Sequence, residues 1–240
     1  LADDPVCAAE RGTALLSARR DGAHGGQEDG LPAIVAPGGT IVQFVPEGRP
    51  IEAYFEPDVR KPAVGPSGLT HIDHIAMGLA LEQFDTWVLF ARAVLGLTRG
   101  ETLDLADPFG LIQTCGLADA DRHLRVVLNV SLSSRTRTAR QIRAAGEAGG
   151  GVHHIALACD DILETVDRLR ANGVHFVPIS CNYYDDLAAR VGLDDVWVSQ
   201  LRDRDIVLDT TGGGHYYHAF AEPFEDRKST RLNSSHDQIS

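Results

Sequence analysis

Residues 151–158 read GVHHIALA, and residues 72–79 read IDHIAMGL. Both hold the tripeptide His-Ile-Ala, at 74–76 and at 154–156, 80 residues apart. Each copy is a short apolar run followed by a helical pattern, so both read as strands. Side chains alternate faces along a strand. His74, Ala76 and Gly78 therefore share one face, and Ile75, Met77 and Leu79 the other. In the second copy His154, Ala156 and Ala158 share a face opposite Ile155 and Leu157. Each strand sets one imidazole beside small residues, which leave space in front of it. The apolar face of each suits packing under the helix that follows.

The pattern extends outward from both copies. After the first comes LEQFDTWVLFARAVLG (81–96), with Phe84, Trp87, Val88, Phe90, Ala91, Val94 and Leu95 on helical spacing and Gly96 at the end. Strands are predicted near 101–105, 110–117 and 124–131. A basic helix over 135–145 and a glycine loop, GEAGGG (146–151), lead to the second copy. There a helix over 160–173 is capped by Asp160 or Asp161 and closed by Gly173. A short strand (174–179), inserted helices over 182–192 and 194–203, and strands near 205–210 and 215–224 complete the cycle. The order β-α-β-β-β occurs twice, the second time with a helical insertion. A repeat this long predicts paired modules rather than a solenoid. Upstream, a helix ending near Ala18, a loop over 21–30, and strands near 32–35 and 40–44 precede a Pro- and Gly-rich linker over 56–69.

The chain has 240 residues, 43% hydrophobic and 23% charged, enough for one large domain or two modest ones. Its net charge of −12 would repel a phosphate backbone, so no nucleic-acid partner is expected. No apolar run approaches the roughly 18 residues of a membrane helix. No signal-peptide pattern opens the chain, and a cytoplasmic location is expected. The first residue is Leu1 rather than Met, as in an internal fragment. Cys7, Cys115, Cys159 and Cys181 show no CxxC spacing and read as reduced thiols.

Two matched strands related by a pseudo-twofold axis would aim two imidazoles at one centre. Two histidines and a carboxylate with open positions form the facial arrangement of non-haem Fe(II) oxygenases. The bland alternative is a pair of satisfied, half-buried histidines. Other histidines rank lower. His71 has the opposite parity, and His153 must face away from His154 unless the strand bulges. His123 and His175 sit beside turns. His215 and His218 fall on different faces of the last strand.

The wording IDHIA (72–76), LNVS (128–131), GGGVHHIAL (149–157), DDILETVDRLRANGVHFVPI (160–179) and NYYDDL (182–187) resembles the vicinal-oxygen-chelate superfamily. Within it the match is to the catalytic module of 4-hydroxyphenylpyruvate dioxygenase. LEQFDTWVLF (81–90), NYYDDLAAR (182–190) and HAFAEPFEDR (218–227) are similar to a bacterial fused type. That type joins a sugar-phosphate-isomerase-like barrel with 3-dehydroshikimate dehydratase activity to a dioxygenase-like half.

The resemblance implies an α+β fold of paired βαβββ, glyoxalase-like modules in an open barrel-like sheet, incomplete at both chain ends. Residues 1–60 would be the remnant of a first, non-catalytic module, 61–69 a linker, 70–227 the catalytic-type module, and 228–240 a foreign tail. The resemblance makes His74 and His154 ligands of Fe(II) or another divalent metal. The substrate would be a small aromatic or cyclic carboxylic acid, with O₂ as co-substrate. Asn129 matches a family asparagine, and Thr114 stands where a substrate-facing serine is expected. His153 takes the place of a glutamine before the second ligand. Arg140 or Gln141 occupies the region of a helical glutamine.

The glutamate ligand of the family would fall at Arg231. There FEDR (224–227) gives way to KSTRLNSSHDQIS, a polar run without strand alternation that is foreign to the family pattern. Glu222 and Glu225 do not match the ligand position. The expected function is an Fe(II) dioxygenase acting on an aromatic 2-oxo acid by oxidative decarboxylation and hydroxylation, inactive here for want of the third ligand. The alternative is the accessory half of a bifunctional 3-dehydroshikimate dehydratase, with little or no dioxygenase activity. A third reading is a metal-free binding module. The exposed edges of an incomplete barrel would be open to association, as a homo-oligomer or by aggregation, and the sequence leaves the oligomeric state open.

Overall fold

The computed structural model describes residues 4–14, 18–20, 31–48, 51–54, 65–107, 109–144, 150–211, 214–222, 224–226 and 229–239. The chain divides into two units, neither continuous in sequence. One comprises Leu1–Lys61 and Met77–Gly151, the other Pro62–Ala76 and Val152–Ser240.

The first unit opens with α1 (Pro5–Ala14), β1 (Ala18–Arg20), β2 (Ala33–Val35) and β3 (Ile41–Gln43). These strands form a small antiparallel sheet in the order β1-β2-β3. Ala18, expected at a helix end, is therefore in a strand, paired with Val35. The predicted loop over 21–30 lies outside the described residues, as does most of the 56–69 linker. β4 (Leu69–Leu79) carries the first His-Ile-Ala, and its last three residues belong to this unit. α2 (Phe84–Ala93) follows a short 3₁₀ turn and buries Phe84, Trp87, Val88, Phe90 and Ala91, the stripe read from spacing. β5 (Thr98–Asp107), β6 (Gly110–Ala118) and β7 (Arg125–Ser131) make an antiparallel meander. β7 alternates between half-buried and buried positions, burying Val126, Leu128 and Val130. α3 (Arg137–Ala144) completes this unit, so β4-α2-β5-β6-β7 is the predicted βαβββ order.

The second unit repeats it. β8 (Gly150–Cys159) carries the second His-Ile-Ala, and α4 (Ile162–Ala171) follows. Asp161 caps α4 by accepting from Glu164 N–H at 3.0 Å. α5 (Cys181–Val191) ends at Gly192, whose φ of 67° closes the helix in the left-handed conformation. α6 (Asp195–Asp203) starts on the carboxylate of Asp194, which accepts from Val196 N–H at 2.7 Å. β9 (Val207–Thr211) and β10 (Gly214–Phe220) pair antiparallel. The core packs Ile162, Val166, Tyr184, Leu187, Val198 and Leu201 of the three helices against Ile206, Leu208 and Ala219.

Two expectations for this unit change. The strand predicted at 174–179 is only a bridge, Phe176 to Ala221, held by Val177 N–H to Phe220 O and Glu222 N–H to His175 O. Pro178 has no N–H to extend the ladder. The polar tail is not strand-free: β11 (Phe224–Asp226) leads into β12 (Ser229–Ile239). β12 pairs parallel with β8 and antiparallel with β10, giving a mixed sheet in the order β8-β12-β10-β9. Ladder bonds belong to the backbone, so a polar sequence can occupy a slot between two strand edges.

Candidate metal centre

Both repeated histidines belong to the second unit. Thr70 donates its hydroxyl hydrogen to Ala158 O at 3.1 Å, and the rings of His74 and His154 meet edge-on with centroids 5.6 Å apart. These contacts fit one antiparallel register between β4 and β8, with the two histidines opposite each other. The structure thus brings together the pair that the repeated phrase singled out.

Over residues 154–158 of β8 the buried positions are His154, Ala156 and Ala158, while Ile155 and Leu157 are half-buried. The histidine-and-small-residue face is therefore the more enclosed one. Small side chains allow close coverage, and the apolar face expected under the helix stays partly open.

His153 does not turn away from His154. Its Nδ1 lies 2.8 Å from Nδ1 of His154, with ring centroids 5.0 Å apart. Alternation separates Cβ positions, but imidazole arms on adjacent residues can still reach each other. His74 Nδ1 donates to Asp73 Oδ2 at 2.7 Å, and both side chains are nearly enclosed. Sequence reasoning passed over Asp73; the signal was the carboxylate immediately before a candidate ligand. His218 stands 3.8 Å from Asp209. Burial depresses its pKa, opposed by the Asp209 charge. His215 is exposed on the opposite face, as predicted. His71, His123 and His175 are exposed too.

Burial lowers the pKa of His154 from 6.5 to about 3, and the neighbouring His153, His74 and His218 add to that shift. His154 is therefore neutral near pH 7, the form that lends a ring nitrogen to a metal. A carboxylate on the far nitrogen of a ligand histidine is the usual support for such a site. Two imidazoles held close together, one of them kept neutral, are donors of the type a divalent ion takes. A third donor does not join them: among the described residues no group of three His, Cys, Asp or Glu side chains is placed to hold one. The register sets Ser234, rather than Arg231, beside His154.

The other candidates lie in the first unit. Thr114 and Asn129 are direct cross-strand partners on β6 and β7, both half-buried. Arg140 is exposed on α3, its guanidinium 5.4 Å from the Phe109 ring centroid. The side chain of Gln141 lies outside the described residues. None of the four cysteines is in a disulfide; Cys115 and Cys159 are buried, Cys7 and Cys181 exposed. No helix among the described residues is long and apolar enough to cross a membrane.

The model of the Glyoxalase/Bleomycin resistance protein/Dioxygenase superfamily matches residues 71–205. A 3-dehydroshikimate dehydratase of Pseudomonas putida is 36% identical over 227 residues, covering 93% of this chain and 35% of the relative. A 4-hydroxyphenylpyruvate dioxygenase of Legionella pneumophila is 28% identical over 196 residues, covering 78% of this chain and 56% of the relative. Among solved structures, a xylose isomerase-like TIM barrel/4-hydroxyphenylpyruvate dioxygenase fusion protein superposes with a TM-score of 0.72 at 33% identity. That match covers 99% of this chain and 37% of the fusion protein. The chain therefore spans about a third of the length of the dehydratase and of the fusion protein.

Proposed function

The chain belongs to the Glyoxalase/Bleomycin resistance protein/Dioxygenase superfamily, and from that premise we propose that it is the dioxygenase-like half of a larger 3-dehydroshikimate dehydratase-type protein. The carrying observation is breadth of likeness. Identity to the dehydratase is 36% across 93% of the chain, against 28% across 78% for the dioxygenase. In this reading the half organises the larger enzyme and binds a divalent metal through His74 and His154, and dehydration of the cyclic acid belongs to the barrel. A bound ion would supply Lewis acidity toward a chelating acid. The chain's own part is to keep His154 neutral and buried and to orient His74 through Asp73. Asn129 and Thr114 are our candidates for binding polar groups of an acid substrate.

A second reading is favoured by the paired histidines: Fe(II)-dependent oxidative decarboxylation and hydroxylation of an aromatic 2-oxo acid with O₂. The two readings part in one experiment on the full-length protein that carries this segment. Dehydration of 3-dehydroshikimate and O₂ uptake with 4-hydroxyphenylpyruvate and Fe(II) are measured for wild type, His74→Ala and His154→Ala. The first reading expects dehydration in all three proteins and no O₂ uptake. Uptake present in wild type and lost in both variants would replace it with the second.

A further inference from the structure

We infer that Asp73 and His153 are positioning residues, each holding the imidazole that follows it so that Nε2 is the nitrogen offered to an ion. The inference rests on the two-histidine metal site proposed above and concerns how the chain prepares it. A neutral imidazole has one donor and one acceptor nitrogen. The Asp73 carboxylate can only accept, so His74 Nδ1 carries the hydrogen of the 2.7 Å bond and its lone pair is on Nε2. Between His153 and His154 two Nδ1 atoms face each other at 2.8 Å, so one must donate and the other accept. If His153 donated, His154 would keep its hydrogen on Nε2 and could not ligate there. If His154 donates, its Nε2 carries the lone pair and His153 holds its own hydrogen on Nε2. Only the second arrangement suits a ligand at His154.

The same device then appears twice. Asp73 precedes His74, and His153 precedes His154. The repeated unit is therefore an acceptor followed by His-Ile-Ala, one residue longer than the repeated letters. In each strand the acceptor is the ligand's chain neighbour, which strict alternation would set on the opposite face. Both nevertheless make the bond, at 2.7 Å for Asp73 and 2.8 Å for His153. A carboxylate and an imidazole nitrogen are different acceptors, so the two histidines are not held identically despite the repeat.

The test is titration of the 240-residue chain with Co(II), followed by calorimetry and visible absorption, with circular dichroism to check folding. Asp73→Ala and His153→Leu are expected to weaken Co(II) binding by about 10- to 100-fold. Asp73→Asn and His153→Gln each keep an amide oxygen that can accept from Nδ1–H, and are expected to recover most of the affinity. Unchanged affinity in folded Asp73→Ala and His153→Leu overturns the positioning role while leaving the metal site standing. Absence of Co(II) binding in wild type, or equal binding by His74→Ala and His154→Ala, overturns the metal site and this inference with it. Nitrogen NMR of the histidine rings in the metal-free chain is the second readout. The hydrogen is expected on Nδ1 of both His74 and His154, and a hydrogen on Nε2 of His154 would overturn the assignment even if a variant fails to fold.

Discussion

Gly150 and Gly78 approach so closely that a Cβ on Gly150 would stand 2.2 Å from the carbonyl oxygen of Gly78 and 3.0 Å from Cα of Leu79. Its φ of 140° is also a conformation that side-chain-bearing residues seldom adopt. Backbone atoms cannot swing aside as a side-chain tip can. Gly150→Ala is expected to cost at least about 2 kcal/mol. Gly151→Ala meets nothing within 4 Å and should change stability by less than about 0.5 kcal/mol. Urea midpoints of the two variants check the contrast.

Tyr183 and Tyr184 are chain neighbours with opposite hydroxyl environments. Tyr183 OH donates to Leu208 O at 3.0 Å and accepts from Leu208 N–H at 2.8 Å. The Tyr184 hydroxyl is buried without a partner among the described residues. Tyr183→Phe should therefore cost about 1–3 kcal/mol, since it strands both groups of Leu208. Tyr184→Phe should leave stability unchanged or raise it by up to about 1 kcal/mol.

Burial raises the Tyr184 pKa above its ordinary 10.0, with the nearby Asp205 charge adding to it. The folded state then holds the phenol proton more tightly than the unfolded state does. Stability is intact below pH 10.0 and falls as the pH rises above it, because only the unfolded phenol ionises readily. Tyr184→Phe should flatten that alkaline slope. Unfolding curves at pH 7 and at about pH 10.5 measure it.

Asp205 ties three segments. One oxygen accepts from Ile179 N–H at 2.9 Å, the other from Arg170 at 2.8 Å, and its φ is 58°. Arg170 also donates to Asp203 O at 2.8 Å. Asp205→Ala is expected to cost about 2 kcal/mol, from the lost bonds and the left-handed backbone. Asp205→Asn keeps an acceptor for Ile179 and should cost less. Each kcal/mol is worth about 2–4 °C in melting temperature for a chain of this size, which thermal scans resolve.

The Asn172 side chain clasps Gly65 from both ends, accepting from Gly65 N–H at 3.1 Å and donating to Gly65 O at 3.0 Å. The site is exposed, so Asn172→Ala should change global stability by under about 1 kcal/mol. The segment leading into β4 should be released. Limited proteolysis near residues 60–68 should quicken in the variant while cleavage elsewhere keeps its rate.

The parts of this fold that were legible in the sequence were those governed by local periodicity. Trp87, Val88 and Ala91 announced α2 because helical spacing and burial coincide there. The His-Ile-Ala repeat announced both strands and the meeting of His74 with His154. Near 174–179 the β-prone letters around Phe176 were overruled by Pro178 and by a partner reaching only one bridge. The polar tail misled in the other direction, because sheet pairing at β12 depends on neighbouring edges that no local pattern shows. Asp73 and His153 were hidden by the alternation rule itself. That rule fixes where Cβ points, and long arms on adjacent residues can still share a hydrogen.

The opposed His74 and His154 rings also carry a consequence about origins. Each copy of the repeated phrase supplies one imidazole of the pair. An unduplicated ancestor could have built the same pair only by meeting a second copy of itself across a twofold axis. Its binding would then have varied with its own concentration. Joining the copies in one chain makes the encounter intramolecular, so the pair forms even in very dilute solution. Within one chain the two copies need not match, and the neighbours Asp73 and His153 differ.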